Sequence, residues 1–191
     1  MADLFKPSAT RSWALLLSYV AGVLLSLPFT RGLVLTLRGL DLMSAVVGVL
    51  YAVALVGVAY YLVFSVDLSD RVAFAAVAGT GGITAALLMG VEFPEERVHF
   101  MQYGLMAGLA AAALRWHSSP ALAYLGAIMI AAGIGCFDEL LQDVLPNRVY
   151  DIKDIIVNAQ GAILGVVADE AVHNRLHWHK GRDDVAHPDR G

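Results

Sequence analysis

Asp138, Glu139, Gln142, Arg148, Asp151, Asp154 and Asn158 bring four carboxylates, two carboxamides and a guanidinium into one short stretch that ends on Gly161 and Gly165. Such a set suits acid–base chemistry on an anchored ligand. A carboxyl group kept protonated by desolvation donates a proton, and a second, ionised carboxylate accepts one. A guanidinium grips an anionic group through its fork of N–H donors. Glu139 and Asp154 are the acid–base candidates, with Arg148, Gln142, Asp151 and Asn158 as binding groups.

A second polar station lies upstream in Glu95-Glu96-Arg97-Val98-His99-Phe100-Met101-Gln102-Tyr103. On a helix, Glu95, His99, Gln102 and Tyr103 follow i, i+4, i+7, i+8 spacing and share a face. His99 is the third catalytic candidate, with Glu96 and Tyr103 as binding groups. Asp138 and Glu139 are each helical neighbours of Gln142. Asp151, Asp154, Asn158, Gly161 and Gly165 alternate steps of three and four, so they fall within one stripe of roughly 80°. That stripe, polar at its mouth and bare below, is expected to face protein, with Val166 outside it. Gly161 with Gly165, and Gly104 with Gly108, make small-xxx-small pairs that permit close helix approach.

No GxSxG elbow, P-loop, HExxH or DxDxD-type motif occurs, which removes the commonest hydrolases and nucleotide enzymes. No cofactor is indicated, although the carboxylates suffice to recruit a divalent cation.

The elements that must position these groups are membrane helices. Of the 191 residues 58% are hydrophobic and 16% charged, more apolar than a soluble domain of this size. Uncharged stretches run over 12–30, 42–66, 72–91, 98–114, 121–137 and 155–168. The last has only 14 residues. As a helix it reaches about 21 Å of a bilayer core of about 30 Å, so it must draw Asp154 and its neighbours toward the interface. The predicted fold is all-α: a polytopic bundle of six transmembrane helices with a polar cluster at one membrane face. Residues 1–71 form a two-span segment, 72–172 the membrane domain that holds the site, and 173–191 a polar tail. The first apolar run is long and lacks a small-x-small cleavage site after Pro28, so it reads as a retained span rather than a signal peptide. Pro28 is expected to end or kink that helix. No internal repeat or low-complexity linker is evident.

Six spans place Lys6, Arg11, Arg71, Arg115, Arg175, Lys180, Arg182 and Arg190 on one side, and Arg31, Arg38, Arg97, Arg148 and Lys153 on the other. The asymmetry predicts cytoplasmic termini and an outward-facing site. An ionisable side chain costs at least about 2.5 kcal/mol at the centre of a membrane helix, so a cluster near one points to function. The net charge of −4 is spread along the chain and argues neither for nucleic acid, which is not expected as a partner, nor for a polybasic grip on anionic lipid. Cys136 is alone and forms no intramolecular disulfide.

The glutamate-basic-x-His-Phe element with Tyr103, followed by Asp138-Glu139-x-x-Gln142, Pro146-x-Arg148, Asp151-x-x-Asp154 and Asn158-x-x-Gly161, resembles the signature of VanZ-like integral membrane proteins. The resemblance covers residues 72–170 and leaves the first two spans outside. It implies a place in the bacterial plasma membrane and a link to the cell envelope and antibiotic resistance, since the family is named for a member that protects against teicoplanin, a lipidated glycopeptide. It implies no reaction. Two positions depart from the pattern: the acidic-Lys pair common four residues before the His is Glu95-Glu96 here, with the base displaced to Arg97, and Gln102 stands where an acidic residue is common.

Three functions fit these residues. The cluster acts on a lipid-linked or glycolipid envelope component, or it binds one or excludes a lipoglycopeptide without turnover, or it lines a transport path. Transport ranks last, because the middle of every span is apolar or small. A purely structural alternative is a buried ion-pair network of Arg148 with Glu139, Asp151 and Asp154 that fixes helix register. His99 alone also fits an interfacial histidine, and His173, His177 and His179 fit a solvated tail, with no further ligand to complete a metal site. Asp67 and Asp70 fit loop charges, and Tyr60, Tyr61 and Trp116 suit interfacial belts.

Overall fold

The structure is a computed structural model that describes residues 8–65, 71–91, 94–144 and 152–186. Among them the chain forms six α-helices and no strand: α1 Ala9–Gly39, α2 Met43–Ser65, α3 Arg71–Gly90, α4 Pro94–Leu114, α5 Pro120–Val144 and α6 Ile152–Ala186. Of these, Ala9–Gly39 and Pro120–Gln142 are long and apolar enough to cross a membrane, while Met43–Gly57 and Ala78–Gly90 are shorter apolar stretches.

Local chemistry explains the helix ends. Ser8 caps α1 by accepting from the Arg11 N–H at 3.3 Å. Prolines open α4 and α5, at the position where a missing N–H costs no intrahelical bond. The α1–α2 corner is a Schellman-type stop. Leu42 N–H donates to Leu37 O at 2.9 Å and Asp41 N–H to Arg38 O at 3.1 Å. Asp41 takes the required left-handed conformation at φ 55°, which a short polar residue tolerates.

Pro28, expected to end or kink the first helix, does not end it. α1 continues through it to Gly39 and carries Arg31 and Arg38 into the helix, so the connection expected over 31–41 shrinks to the corner. Hydroxyls on either side of the proline bond back to carbonyls, Ser26 Oγ to Val23 O at 2.7 Å and Thr30 Oγ1 to Leu27 O at 2.9 Å. The carbonyl that Pro28 leaves without its usual N–H is that of Leu24, and these two bonds go to other carbonyls. α6 is likewise longer than its apolar stretch. Its 35 residues continue past His173 to Ala186 without a break.

α4 sits at the centre, packed most extensively against α6 and then against α5 and α1. The contact surfaces are built from small side chains: Ala107, Ala110 and Ala111 of α4, Ala127 and Ala131 of α5, and Ala162 of α6 are completely buried. Large apolar side chains such as Leu25, Phe29, Leu55, Val56, Met89 and Met129 point outward. A soluble protein would bury those groups, whereas helices that pack inside lipid use small residues at their contacts.

The tightest approach is between α4 and α6. A Cβ on Gly161 would run into Phe100 O, and one on Gly165 into Gly104 O. A Cβ on Gly104 would lie 3.1 Å from Gly161 O, so these three glycines set the crossing. Gly108 takes no part, since nothing lies within 4 Å of its Cβ position. Val166, expected outside the contact, is buried in the core beside Ala162. A stripe of 80° is narrower than the face that three neighbouring helices cover.

Candidate functional site

α4, α5 and α6 bring four of the predicted side chains, Tyr103, Glu139, Gln142 and Asn158, together with Asp138, into the protein interior. Asp138 and Glu139 are 0% exposed, Gln142 2% and Asn158 1%. Tyr103, from the middle of α4, is also wholly buried. The centre of the arrangement is Asp138, a residue whose helical neighbourhood with Gln142 is visible in the sequence but which was not among the expected site groups. Tyr103 Oη donates to Asp138 Oδ2 at 2.6 Å, and Gln142 Nε2 donates to Asp138 Oδ1 at 3.0 Å. The Gln142 contact follows from i, i+4 spacing on α5. The Tyr103 contact joins two helices.

Both Asp138 oxygens therefore accept from neutral donors. A carboxylate with a donor on each oxygen is held as an oriented acceptor rather than as a mobile base. Glu139 is the next residue on α5 and lies in the same dry layer. Asn158 approaches from α6, with its Cβ and Nδ2 each 3.0 Å from where a Gly135 Cβ would be.

The upstream station is arranged less tightly. His99 and Tyr103 stack with ring centroids 6.3 Å apart, which follows from their i, i+4 spacing. His99, Gln102 and Glu96 are half-buried, and Asp154 is half-buried in the first turn of α6. The side chain of Glu95 and all of Arg148 and Asp151 lie outside the described residues, as do Asp67, Asp70 and the side chains of Tyr61, His173, His177 and His179. Among the described residues no three His, Cys, Asp or Glu side chains group closely enough to hold a metal ion.

Two tyrosines that the sequence did not single out fasten α4 from its outer side. Tyr19 of α1 donates to Gln102 O at 3.1 Å, and Tyr51 of α2 donates to Arg97 O at 2.5 Å. Arg97 itself closes the α3–α4 link by donating from Nη2 to Val91 O at 3.1 Å. These bonds hold the backbone on both sides of His99.

The opposite end of the bundle has its own polar group. Arg115, just past α4, pairs with Asp169 of α6 through Nη1 to Oδ2, and Nη2 lies 3.3 Å from Oδ1. Burial alone would lower the Arg115 pKa, but the Asp169 hydrogen bond and charge outweigh it and hold it above its ordinary value. Trp116 Nε1 donates to Ser12 Oγ at 3.2 Å, and Trp13 packs against His117 at 6.3 Å between ring centroids. The start of α1 and the end of α4 thus share one end of the molecule. Asp169 prolongs the α6 stripe by one further step of four from Gly165, a signal that the sequence offered.

The sequence profile of the VanZ/LLP1 family matches residues 4–169. The chain belongs to the VanZ/LLP1 family. No curated protein and no solved structure gives a match. The family match begins at residue 4, so it takes in α1 and α2 as well, which the motif resemblance over 72–170 had left outside. In this VanZ/LLP1 chain those two helices supply Tyr19 and Tyr51, so they also contribute to how α4 is held.

Proposed function

We propose that this VanZ/LLP1 chain is a polytopic protein of the bacterial plasma membrane that acts on or binds a lipid-linked or glycolipid component of the envelope. The observation that carries this reading is the dry polar layer of Tyr103, Asp138, Glu139, Gln142 and Asn158 inside a bundle whose outer surface is Leu, Val and Phe. Such groups are expensive in an apolar setting and are retained where they meet a ligand. In this reading Glu139 and Asp154 exchange protons with the ligand, beside His99. Arg148, Gln142, Asp151, Asn158, Tyr103 and Glu96 orient it, and a divalent cation has carboxylates to bridge if the chemistry uses one.

Binding without turnover, including exclusion of a lipoglycopeptide, is the second reading. It is favoured by the fixed state of Asp138, whose two oxygens are both occupied by donors. Transport ranks last. Between the polar groups at the two ends, the described core at the level of Ala107, Ala110, Ala127 and Ala131 consists of alanines and offers ions no chain of polar side chains.

Comparing the lipids of cells with and without the protein tests the proposal. A specific lipid that accumulates, and does so equally in a Glu139→Gln strain, identifies the substrate and supports an enzyme. Specific retention of that lipid by the purified protein without conversion supports the binder. Identical lipid profiles together with no retained lipid would remove both.

A further inference from the structure

Asn158 differs from the other buried polar side chains of the site. It is 1% exposed, and neither its Oδ1 nor its Nδ2 has a hydrogen-bond partner among the described residues. Nearly all buried polar groups in folded proteins are paired, and an unpaired one is costly, so a carboxamide held this way needs an explanation. Its position is fixed by backbone: a Cβ at Gly135 would press to 3.0 Å on both its Cβ and its Nδ2. Gly135 lies one turn before Asp138 and Glu139 on α5, and Asp154 lies one turn from Asn158 toward the opening of α6. Asp154 is half-buried, so the α6 stripe leads inward from a part of the site that solvent reaches.

Building on the site proposed above, we infer that Asn158 is its recognition group and that the ligand presents an amide to it. Oδ1 requires a donor and Nδ2 requires an acceptor, side by side in one plane. A primary amide supplies both in that arrangement, the N–H syn to its carbonyl donated to Oδ1 and the carbonyl accepting from Nδ2, whereas a trans secondary amide points its N–H and C=O to opposite sides. A phosphate or carboxylate would leave Oδ1 without a donor. An ester would likewise leave Oδ1 unsatisfied. The substrate class that follows is an amphiphile that carries a primary carboxamide in its headgroup.

The test uses the full-length protein in detergent and two probes of matched chain length, dodecanamide and methyl dodecanoate, with thermal unfolding as the readout. The amide should stabilise the wild type at concentrations about tenfold or more below those the ester needs, since the ester strands one polar atom of Asn158. Asn158→Ala should melt close to the wild type without probe and respond to both probes alike. Gly135→Ala, which leaves the carboxamide present but displaces it, should narrow the preference. Equal responses of the wild type to the two probes would overturn the inference, as would an amide preference that survives in Asn158→Ala. A large fall in melting for Asn158→Ala alone would place the partner of the carboxamide within the protein and overturn it too. The broader reading of the site is separable from this outcome, because it stands or falls on the lipid profile and on Glu139→Gln, whichever probe is preferred.

Discussion

Tyr103 on α4 donates its phenol proton to Asp138 on α5 at 2.6 Å, and neither side chain is reached by solvent. The bond ties the central helix to the helix that holds the acidic pair, and it crosses the interior where water cannot replace it. Removing the donor therefore does more than loosen a contact. It leaves a buried carboxylate oxygen without its partner.

Tyr103→Phe keeps the ring in place and removes only the hydroxyl. Leaving one partner of a buried hydrogen bond unsatisfied costs about 1–3 kcal/mol, so the variant should lose that much stability in detergent unfolding. Gln142→Leu removes the other donor and should act in the same direction. If Tyr103→Phe melts with the wild type, Asp138 does not depend on this bond.

The α4–α6 crossing gives a prediction that separates neighbouring glycines. Gly161→Ala and Gly165→Ala bring a methyl group into backbone atoms of Phe100 and Gly104, so each should cost about 1–3 kcal/mol as the helices are forced apart. Gly108→Ala meets nothing within 4 Å and should be neutral or slightly stabilising. Val167→Leu, at an exposed position on α6, is the matched control. Equal melting temperatures for Gly165→Ala and Gly108→Ala would mean that the crossing is not as close as drawn.

How far the sequence revealed this arrangement depends on the range of each contact. Asp138 with Gln142, His99 with Tyr103, and the Gly161–Gly165 face are set by the 3.6-residue repeat of a single helix and were legible from spacing alone. The Tyr19 and Tyr51 bonds join helices far apart in the chain, and a tyrosine inside an apolar run carries no periodic sign of its partner. Gly108 shows the same limit, because helical spacing says which residues share a face but not where another helix crosses it. Pro28 shows a different limit: the ring and the missing N–H are visible in the sequence, but whether a helix ends there or runs on depends on its surroundings, and α1 runs on to Gly39. Asp169 lay one step beyond the point at which the α6 stripe was read.

Membrane orientation is open to a labelling experiment. The excess of Lys and Arg on the side of the two termini predicts that the α5–α6 connection faces outward. In a Cys136→Ser background, a cysteine at Asn147, in the segment outside the described residues, should react with an impermeant thiol reagent in intact cells. One at Ala186, the end of α6, should react only after lysis. The reverse order of labelling inverts the topology and moves the acidic pair to the cytoplasmic face.

Whether the carboxylates serve a ligand or only fasten helices is decided by how the protein fails when they are changed. Glu139→Gln and Asp154→Asn keep size and part of the hydrogen bonding while removing the ionisable group. If these residues exchange protons with a ligand, both variants should insert, fold and melt near the wild type yet leave the cellular lipid profile as it is without the protein. If they belong to a buried ion-pair network, breaking one member strands a charge and should destabilise by about 3–5 kcal/mol where the network is fully buried. Glu139 is 0% exposed and Asp154 half-buried, so a network would make Glu139→Gln the more damaging of the two. His173→Ala and His177→Ala, past the family match that ends at residue 169, should leave both function and stability unchanged. Well-folded but inactive Glu139→Gln and Asp154→Asn variants are the expected result. Melting that collapses in step with function would defeat the site and leave the carboxylates as a fastening.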